Sequence, residues 1–393
     1  MSASLGVCCS RTPASGVTAT TSLSHISALT GLRAVAALLV VGTHAAFATG
    51  KLSHGYLGGI YSHLEVGVAI FFVLTGFLLF RPWVRSASTG STPPNLSRYA
   101  WHRARRILPG YVVTVVAVFA LYTVFTPGPN PGETWYGLLR YLTFTQIYTD
   151  DYLITLLHTG LSQMWSLAVE VSFYAALPGL AYVLLRNQWQ PRRALTALGA
   201  LAAITPLWLF VVSTTQVLPN SAGMWLPAHI AWFAGGMALA VLEATGARCH
   251  TTAAISLAIV LYLAVSATSS APVTKSLTYA AIATLAVAPV ALGSKEWYER
   301  LLSGRPLVWL GEISYEIFLL HVPIMAMTMS LVLRWPLFTG SLPGLIAVTM
   351  LLTIPAAWIL HRRTVRRTPT AAARAAEPTR PGHGVTPSLS PLH

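Results

Sequence analysis

Arg33 and His44 lie eleven residues apart within one apolar stretch of the chain. At about 100° per residue that separation closes to within about 20° of whole turns, so on a helix both project from one face, about 16 Å apart along the axis. Ionised groups in hydrocarbon cost at least about 2.5 kcal/mol near the bilayer centre, so each calls for a partner or a task. A second set, Ser166, Glu170 and Tyr174, recurs every four residues and lines one helix face with hydroxyl, carboxylate and phenol. A carboxylate there needs a cation or hydrogen-bond donors, and Arg33 and His44 are the intramembrane candidates. A Glu beside a His fixes the imidazole tautomer and raises its basicity, which suits general-base work on a hydroxyl.

Two further clusters carry similar chemistry. In Gly311 to His321, Ser314 and His321 are seven residues apart and share a face, while Glu312 and Glu316 share another. Residues 97–111 read SRYAWHRARRILPGY, and several close arginines there suit a phosphate clamp as well as they suit anchoring at headgroups. Structural readings stand beside each functional one. Arg33 can snorkel to headgroups, His44 can bridge helices as a neutral imidazole, Glu170 can belong to an interhelical ion pair, and the 311–321 segment can simply pack helices.

The elements that must position these residues follow from composition. Only 9% of the 393 residues are charged and 54% are apolar, with mean hydropathy +0.61, which excludes a water-soluble chain. Apolar stretches near 28–48, 66–84, 107–126, 165–185, 194–213, 226–243, 252–270, 277–293, 307–332 and 342–360 predict about ten transmembrane helices, an all-α polytopic membrane protein. Sorting the 25 basic residues puts twenty on the side of the termini, four on the other and Arg33 alone within a span. That bias predicts both termini in the cytoplasm of a plasma (inner) membrane protein. It also explains the formal charge of +14 by topology, so no nucleic-acid partner is expected. Residues 1–26 are expected to form a disordered cytoplasmic tail with no cleavable signal peptide, 27–361 the membrane unit, and 362–393 a basic disordered tail facing anionic lipid. Cys8, Cys9 and Cys249 have neither disulfide nor metal-ligand spacing, and no metal site is expected. The longest outer loop, about 127–163, carries Glu133, Asp150, Asp151 and His158 and is long enough to cap an outward cavity.

Five motifs in order resemble the membrane-bound acyltransferase 3 family of ten-span bacterial O-acyltransferases. They are Arg33 with His44, GVAIFFVLTGFLLF at 67–80, RRILPGY at 105–111, WSLAVEVSFY at 165–174 and GEISYEIFLLH at 311–321. They cover about residues 28–360. Thr75 stands where the family more often has Ser, and the hydroxyl is kept. No esterase-like extracellular domain follows the last span, unlike in some members, so transfer is expected to be completed by the membrane unit or handed to a separate protein.

The resemblance implies transfer of an acyl group, usually acetyl, from acetyl-CoA or another acyl-CoA to a hydroxyl of a sugar or glycolipid acceptor, with acyl-CoA a donor substrate and no cofactor permanently bound. The family's Arg and His map onto Arg33 and His44. His44 is expected to act as general base or as transient acyl carrier, with Glu170 orienting it, and Arg33 to hold the donor arm or stabilise oxyanion charge. Arg103, Arg105 and Arg106 are the expected coenzyme A phosphate ligands. Ser166, Tyr174, Ser314, Tyr315 and His321 are expected to line the acceptor pocket. The preferred acceptor is a cell-envelope glycolipid or polysaccharide; a macrolide acyltransferase and a secondary transporter or flippase are the alternatives. Oligomeric state is left open by the sequence.

Overall fold

The computed structural model describes residues 17–53, 55–149, 157–186, 189–268, 271–293 and 296–364. Residues 1–16 and 365–393 of the expected tails, together with Asp150 and Asp151, lie outside the described residues. Among those described, all regular structure is helical, as buried backbone in lipid requires. The first half of the chain gives α1 (Val17–Ala48), α2 (Gly55–His63), α3 (Val66–Thr89), α4 (Leu96–Tyr122), α5 (Trp135–Leu142) and α6 (Trp165–Leu185). Then come α7 (Pro191–Ala202), α8 (Ile204–Thr214), α9 (Leu226–Ala244), α10 (Thr251–Ser266) and α11 (Pro272–Ala291). The chain closes with α12 (Trp297–Leu302), α13 (Arg305–Glu312), α14 (Ser314–Met327) and α15 (Leu342–Thr364).

Nine helical stretches among the described residues are long and apolar enough to cross a membrane. The expected span at 252–270 is instead the 16-residue α10, about 24 Å long at 1.5 Å per residue and short of the roughly 20 residues a crossing needs. Its C-terminal continuation is rich in Ser and Thr, whose side chains compete for backbone hydrogen bonds and favour ends over helix interiors. Two expected spans are broken. The 194–213 span divides into α7 and α8 at Ala203, because Pro206 can neither donate to nor pack against the carbonyl four residues earlier. The 307–332 span divides at Ile313, where ψ is 8°, into α13 and α14, with a π-helical turn at Thr328–Val332. α4 begins at Leu96, eleven residues before the expected span, on an Asn95 cap that accepts the Arg98 N–H at 2.9 Å. α1 likewise starts at Val17, ahead of the 26/27 boundary expected for the membrane unit.

α3 and α9 cross at the centre of the bundle. A Cβ on Gly236 would fall 1.9 Å from the Val73 carbonyl oxygen, and one on Gly76 would fall 2.3 Å from that of Phe233. Only glycine permits this approach, in which backbones meet directly as small residues allow in lipid. Phe72, Phe233 and Phe173 stack alongside, with centroids 4.4 and 4.0 Å apart. At one end of the bundle Arg81 clasps Glu243 through Nε at 2.7 Å and through its second nitrogen, and Arg85 adds a contact at 3.5 Å. At the other end Lys275 reaches Glu65 at 2.5 Å, and the Phe338 N–H donates to the Ala48 carbonyl at 2.7 Å. Val112, Val113 and Val116 of α4, and Leu257 and Val260 of α10, are exposed on the outer surface, as lipid-facing positions should be.

Candidate active site

A cavity of about 780 Å³, counted out to its open mouth, lies among α1, α3, α4, α6 and α14. Arg33 of α1 faces it, and so do Arg103 and Arg106 from the first turns of α4. Among the described residues none of these three guanidinium groups makes an ion pair or a hydrogen bond to protein, and Arg103 Nε is buried without a partner. Unpaired cations in a low-dielectric site are costly unless an anion arrives from elsewhere. Arg105 and Arg106 are both exposed, but Arg105 does not line the cavity. On α4 it lies about 200° round the helix from Arg103, whereas Arg106 lies only about 60° away. Arg103 and Arg106 therefore face inward, and the expected role for Arg105 at the donor site is not met.

One carboxylate balances part of this charge. Glu170 Oε1 accepts hydrogen bonds from Thr75 Oγ1 at 2.7 Å and from Tyr174 OH at 2.6 Å. Tyr99 OH in turn donates to the Tyr174 carbonyl at 3.1 Å, tying α4 to α6. Glu170, Tyr174, Thr75 and Ser166 all line the cavity, so the four-residue spacing in α6 does put its polar face there. The far wall is aromatic, with Phe71 and Phe318 edge to face at 6.5 Å.

His44 is not on that wall. Its Nδ1 is 2.9 Å from the Val40 carbonyl oxygen and 3.4 Å from His321 Nε2, and the two imidazoles meet edge to face at 5.0 Å. The expected pairing of Glu170 with His44 is therefore not formed. The carboxylate is held by two hydroxyls, and the ring of His44 is held by its own helix and by α14. Phe318 links the cavity to the histidine pair, since it lines the cavity and also lies 5.9 Å from the His321 ring. Gln163, just before α6, donates to the Leu319 carbonyl at 2.9 Å and so fixes α14 at this level.

Residues 26–362 match the acyltransferase domain model of the acyltransferase 3 family. The chain belongs to that family. It is 25% identical over 332 residues to the peptidoglycan O-acetyltransferase OatA of Listeria monocytogenes, an alignment covering 78% of this chain and 50% of that protein. It is 26% identical over 256 residues to nodulation protein 10 of Rhizobium leguminosarum bv. viciae, covering 52% of this chain and 65% of the relative. The chain thus spans between about half and two thirds of the length of these relatives. No solved structure matches it.

Within the acyltransferase domain the structure brings Arg33, Arg103, Arg106, Ser166, Glu170, Tyr174, Ser314 and Tyr315 to one cavity. It places His44 and His321 together next to it. Ser314 also serves the break between α13 and α14, where its hydroxyl donates to the Gly311 carbonyl at 2.8 Å. Tyr315 OH donates to the Ile107 carbonyl at 2.9 Å, anchoring α14 on α4. Thr75, Phe71 and Phe318 are site residues not assigned from the sequence. Thr75 had a signal, a hydroxyl inside an otherwise apolar run; the phenylalanines had none. Glu316 turns away from Glu312 and meets His361 of α15 at 3.0 Å.

The segment between α5 and α6 does not line the cavity where it is described. His158 Nδ1 accepts the Gly160 N–H at 3.0 Å, so its proton is on Nε2, which donates to Glu133 at 2.5 Å. The ring is fully buried against Phe119 and Tyr122. Burial lowers His158 to about 4 and raises the Glu133 carboxyl above its usual range.

Proposed function

We propose that this acyltransferase moves an acyl group, in the first instance acetyl, from an acyl-CoA thioester to a hydroxyl of a cell-envelope sugar. The observation that carries the donor assignment is the convergence of Arg33, Arg103 and Arg106 on one cavity where, among the described residues, no carboxylate, Glu170 included, is within ion-pair distance of any of them. Coenzyme A brings phosphates to pair with them, and Arg is the side chain best shaped for phosphate. Arg103 and Arg106 hold the phosphates at the mouth while the pantetheine arm runs inward past Arg33, over a distance comparable to the separation of Arg33 and His44 along α1. The basic end of the bundle then faces the cytoplasm, where the donor is made.

In the reaction the acceptor hydroxyl oxygen attacks the thioester carbonyl, the C–O bond forms and the C–S bond breaks. His44 takes the hydroxyl proton, and the coenzyme A thiolate departs and is protonated. Arg33 and the hydroxyls around Glu170 face the charge that develops on the carbonyl oxygen. Phe318 and Phe71 form the wall that the acyl end must pass to reach His44. A sugar acceptor is supported by the Listeria relative, whose name gives peptidoglycan as its substrate.

The test is acetyl transfer from labelled acetyl-CoA by purified protein in nanodiscs, with peptidoglycan fragments and extracted envelope glycans as acceptors and thiol release followed in parallel. Label entering a glycan fraction from wild type, with at least a 100-fold loss in His44→Ala, is the expected result. Undiminished transfer in His44→Ala, or label confined to non-carbohydrate acceptors, would overturn the reading.

A further inference from the structure

The histidine pair fixes which nitrogen of His44 is free for chemistry. A carbonyl oxygen carries only lone pairs, so the 2.9 Å contact of His44 Nδ1 with the Val40 carbonyl requires the hydrogen on Nδ1. The same logic applies to His321. Its Nδ1 faces the carbonyls of Phe318 at 2.8 Å and Ile317 at 3.1 Å, so Nδ1 is the donor and Nε2 holds the lone pair. That lone pair points at His44 Nδ1 across 3.4 Å. His321 is fully buried, and among the described residues its Nε2 has no other hydrogen-bond partner. The Nδ1–H of His44 is thus shared between two acceptors, a three-centre arrangement known at helix ends, and among the described residues no hydrogen-bond acceptor meets His44 Nε2 to draw that hydrogen there.

We infer that His321 is a positioning residue, which with the Val40 carbonyl holds His44 as its Nδ1–H tautomer and leaves Nε2 as the nitrogen that takes the acceptor's proton. The inference rests on the acyl-transfer reading given above. It replaces a carboxylate, the usual orienting group for a catalytic imidazole, by a neutral imidazole. When His44 accepts the hydroxyl proton on Nε2, the positive charge spreads to Nδ1–H, and the bond to His321 Nε2 strengthens at that moment. The lone pair of His321 can do this only while its own proton stays on Nδ1, donated to the Phe318 carbonyl. The residue that walls the donor cavity therefore also sets the tautomer of the pair.

Two substitutions separate positioning from packing. His321→Gln puts an amide oxygen near the place of Nε2 and keeps an acceptor; His321→Leu fills similar space with none. His321→Leu is expected to lower kcat for acyl transfer about 100-fold, with KM for acetyl-CoA within about twofold of wild type, and His321→Gln to recover most of the loss. If Leu and Gln lose activity equally, or Leu retains more than Gln, while His44→Ala is inactive, the positioning role is wrong and the acyl-transfer reading stands. If His44→Ala retains activity, the acyl-transfer reading itself fails. A measurement on the unmutated protein is independent of folding in either variant. In nitrogen-15 spectra of histidine-labelled protein in nanodiscs, the resonance lost in His44→Gln is expected to show a protonated Nδ1 and a bare Nε2. The opposite tautomer would overturn the inference.

Discussion

Two groups of arginines sit toward the same end of the bundle in opposite circumstances. Arg81 and Arg85 share Glu243, and their side chains join α3 to α9 next to the glycine crossing of Gly76 and Gly236. Arg33, Arg103 and Arg106 meet in a cavity where no protein anion pairs with any of them. In water the difference would matter little, since an exposed ion pair is worth at most about 1 kcal/mol. Among packed helices, a cation with its anion built in is a structural tie, whereas a cation without one is a place kept for a charged ligand. On the proposed function, the contrast separates structural from functional charge in this chain.

The comparison can be broken first at Arg33. Arg33→Ala is expected to lower kcat/KM for acetyl-CoA by about 1,000-fold and to raise the thermal midpoint of the empty protein, because an uncompensated charge is removed. A lower midpoint together with retained activity would place Arg33 among the structural arginines. Glu243→Ala should do the reverse. It leaves Arg81 unpaired and costs about 2 kcal/mol of stability, read as a lower midpoint in detergent, while the folded fraction keeps its KM for the donor. A smaller effect tests the clamp on Glu170. Thr75→Val removes one of its two hydroxyl donors and is expected to cost about tenfold in kcat, whereas Thr75→Ser stays within about twofold of wild type.

The least of the expected effects concerns the connection before α6, where burial rather than a ligand decides the protonation state. The folded-state value for His158, about 4, lies below the ordinary imidazole value of 6.5, so the unfolded segment binds the proton more readily. Its contribution to stability is fully present above about 6.5 and is lost as pH falls toward 4. Glu133, raised by burial, acts in the opposite sense and favours the folded segment at low pH. Protection of the amides of residues 157–160, taken relative to their intrinsic exchange rates, should therefore fall as pH drops from 6.5 to 4, and His158→Phe should flatten that dependence. Unchanged protection in both proteins would contradict a neutral buried imidazole.

Much of the bundle could be read from the sequence, because uninterrupted apolar runs such as 226–243 and 342–360 leave few other ways to satisfy the backbone. The breaks were harder. Pro206 is a local cause, but Ile313 carries no breaking signal of its own, and the turn there depends on Gly311 lying against Thr30, where a Cβ would be 1.9 Å from the Thr30 carbonyl oxygen. The expected span at 252–270 is longer than α10, which ends at Ser266, just before the sequence turns to threonine and serine. In the site, Ser166, Glu170 and Tyr174 were readable as one face because periodicity within a helix is local. The partner of His44 was not, since His321 is 277 positions away and only packing of α1 on α14 brings the rings together. Proximity in sequence does not separate Arg105 from Arg103 and Arg106; the helical register of α4, which begins at Leu96 within polar sequence, does.

The central claim, that the unpaired arginines form the donor's anion site, is tested most directly by coenzyme A binding to the purified protein. Titration calorimetry in nanodiscs on wild type, Arg103→Ala, Arg106→Ala and Arg105→Ala compares two arginines that line the cavity with a neighbour that does not. The account predicts affinity about tenfold weaker for each of the first two variants and unchanged for Arg105→Ala. Equal weakening by all three, or by none, would contradict it.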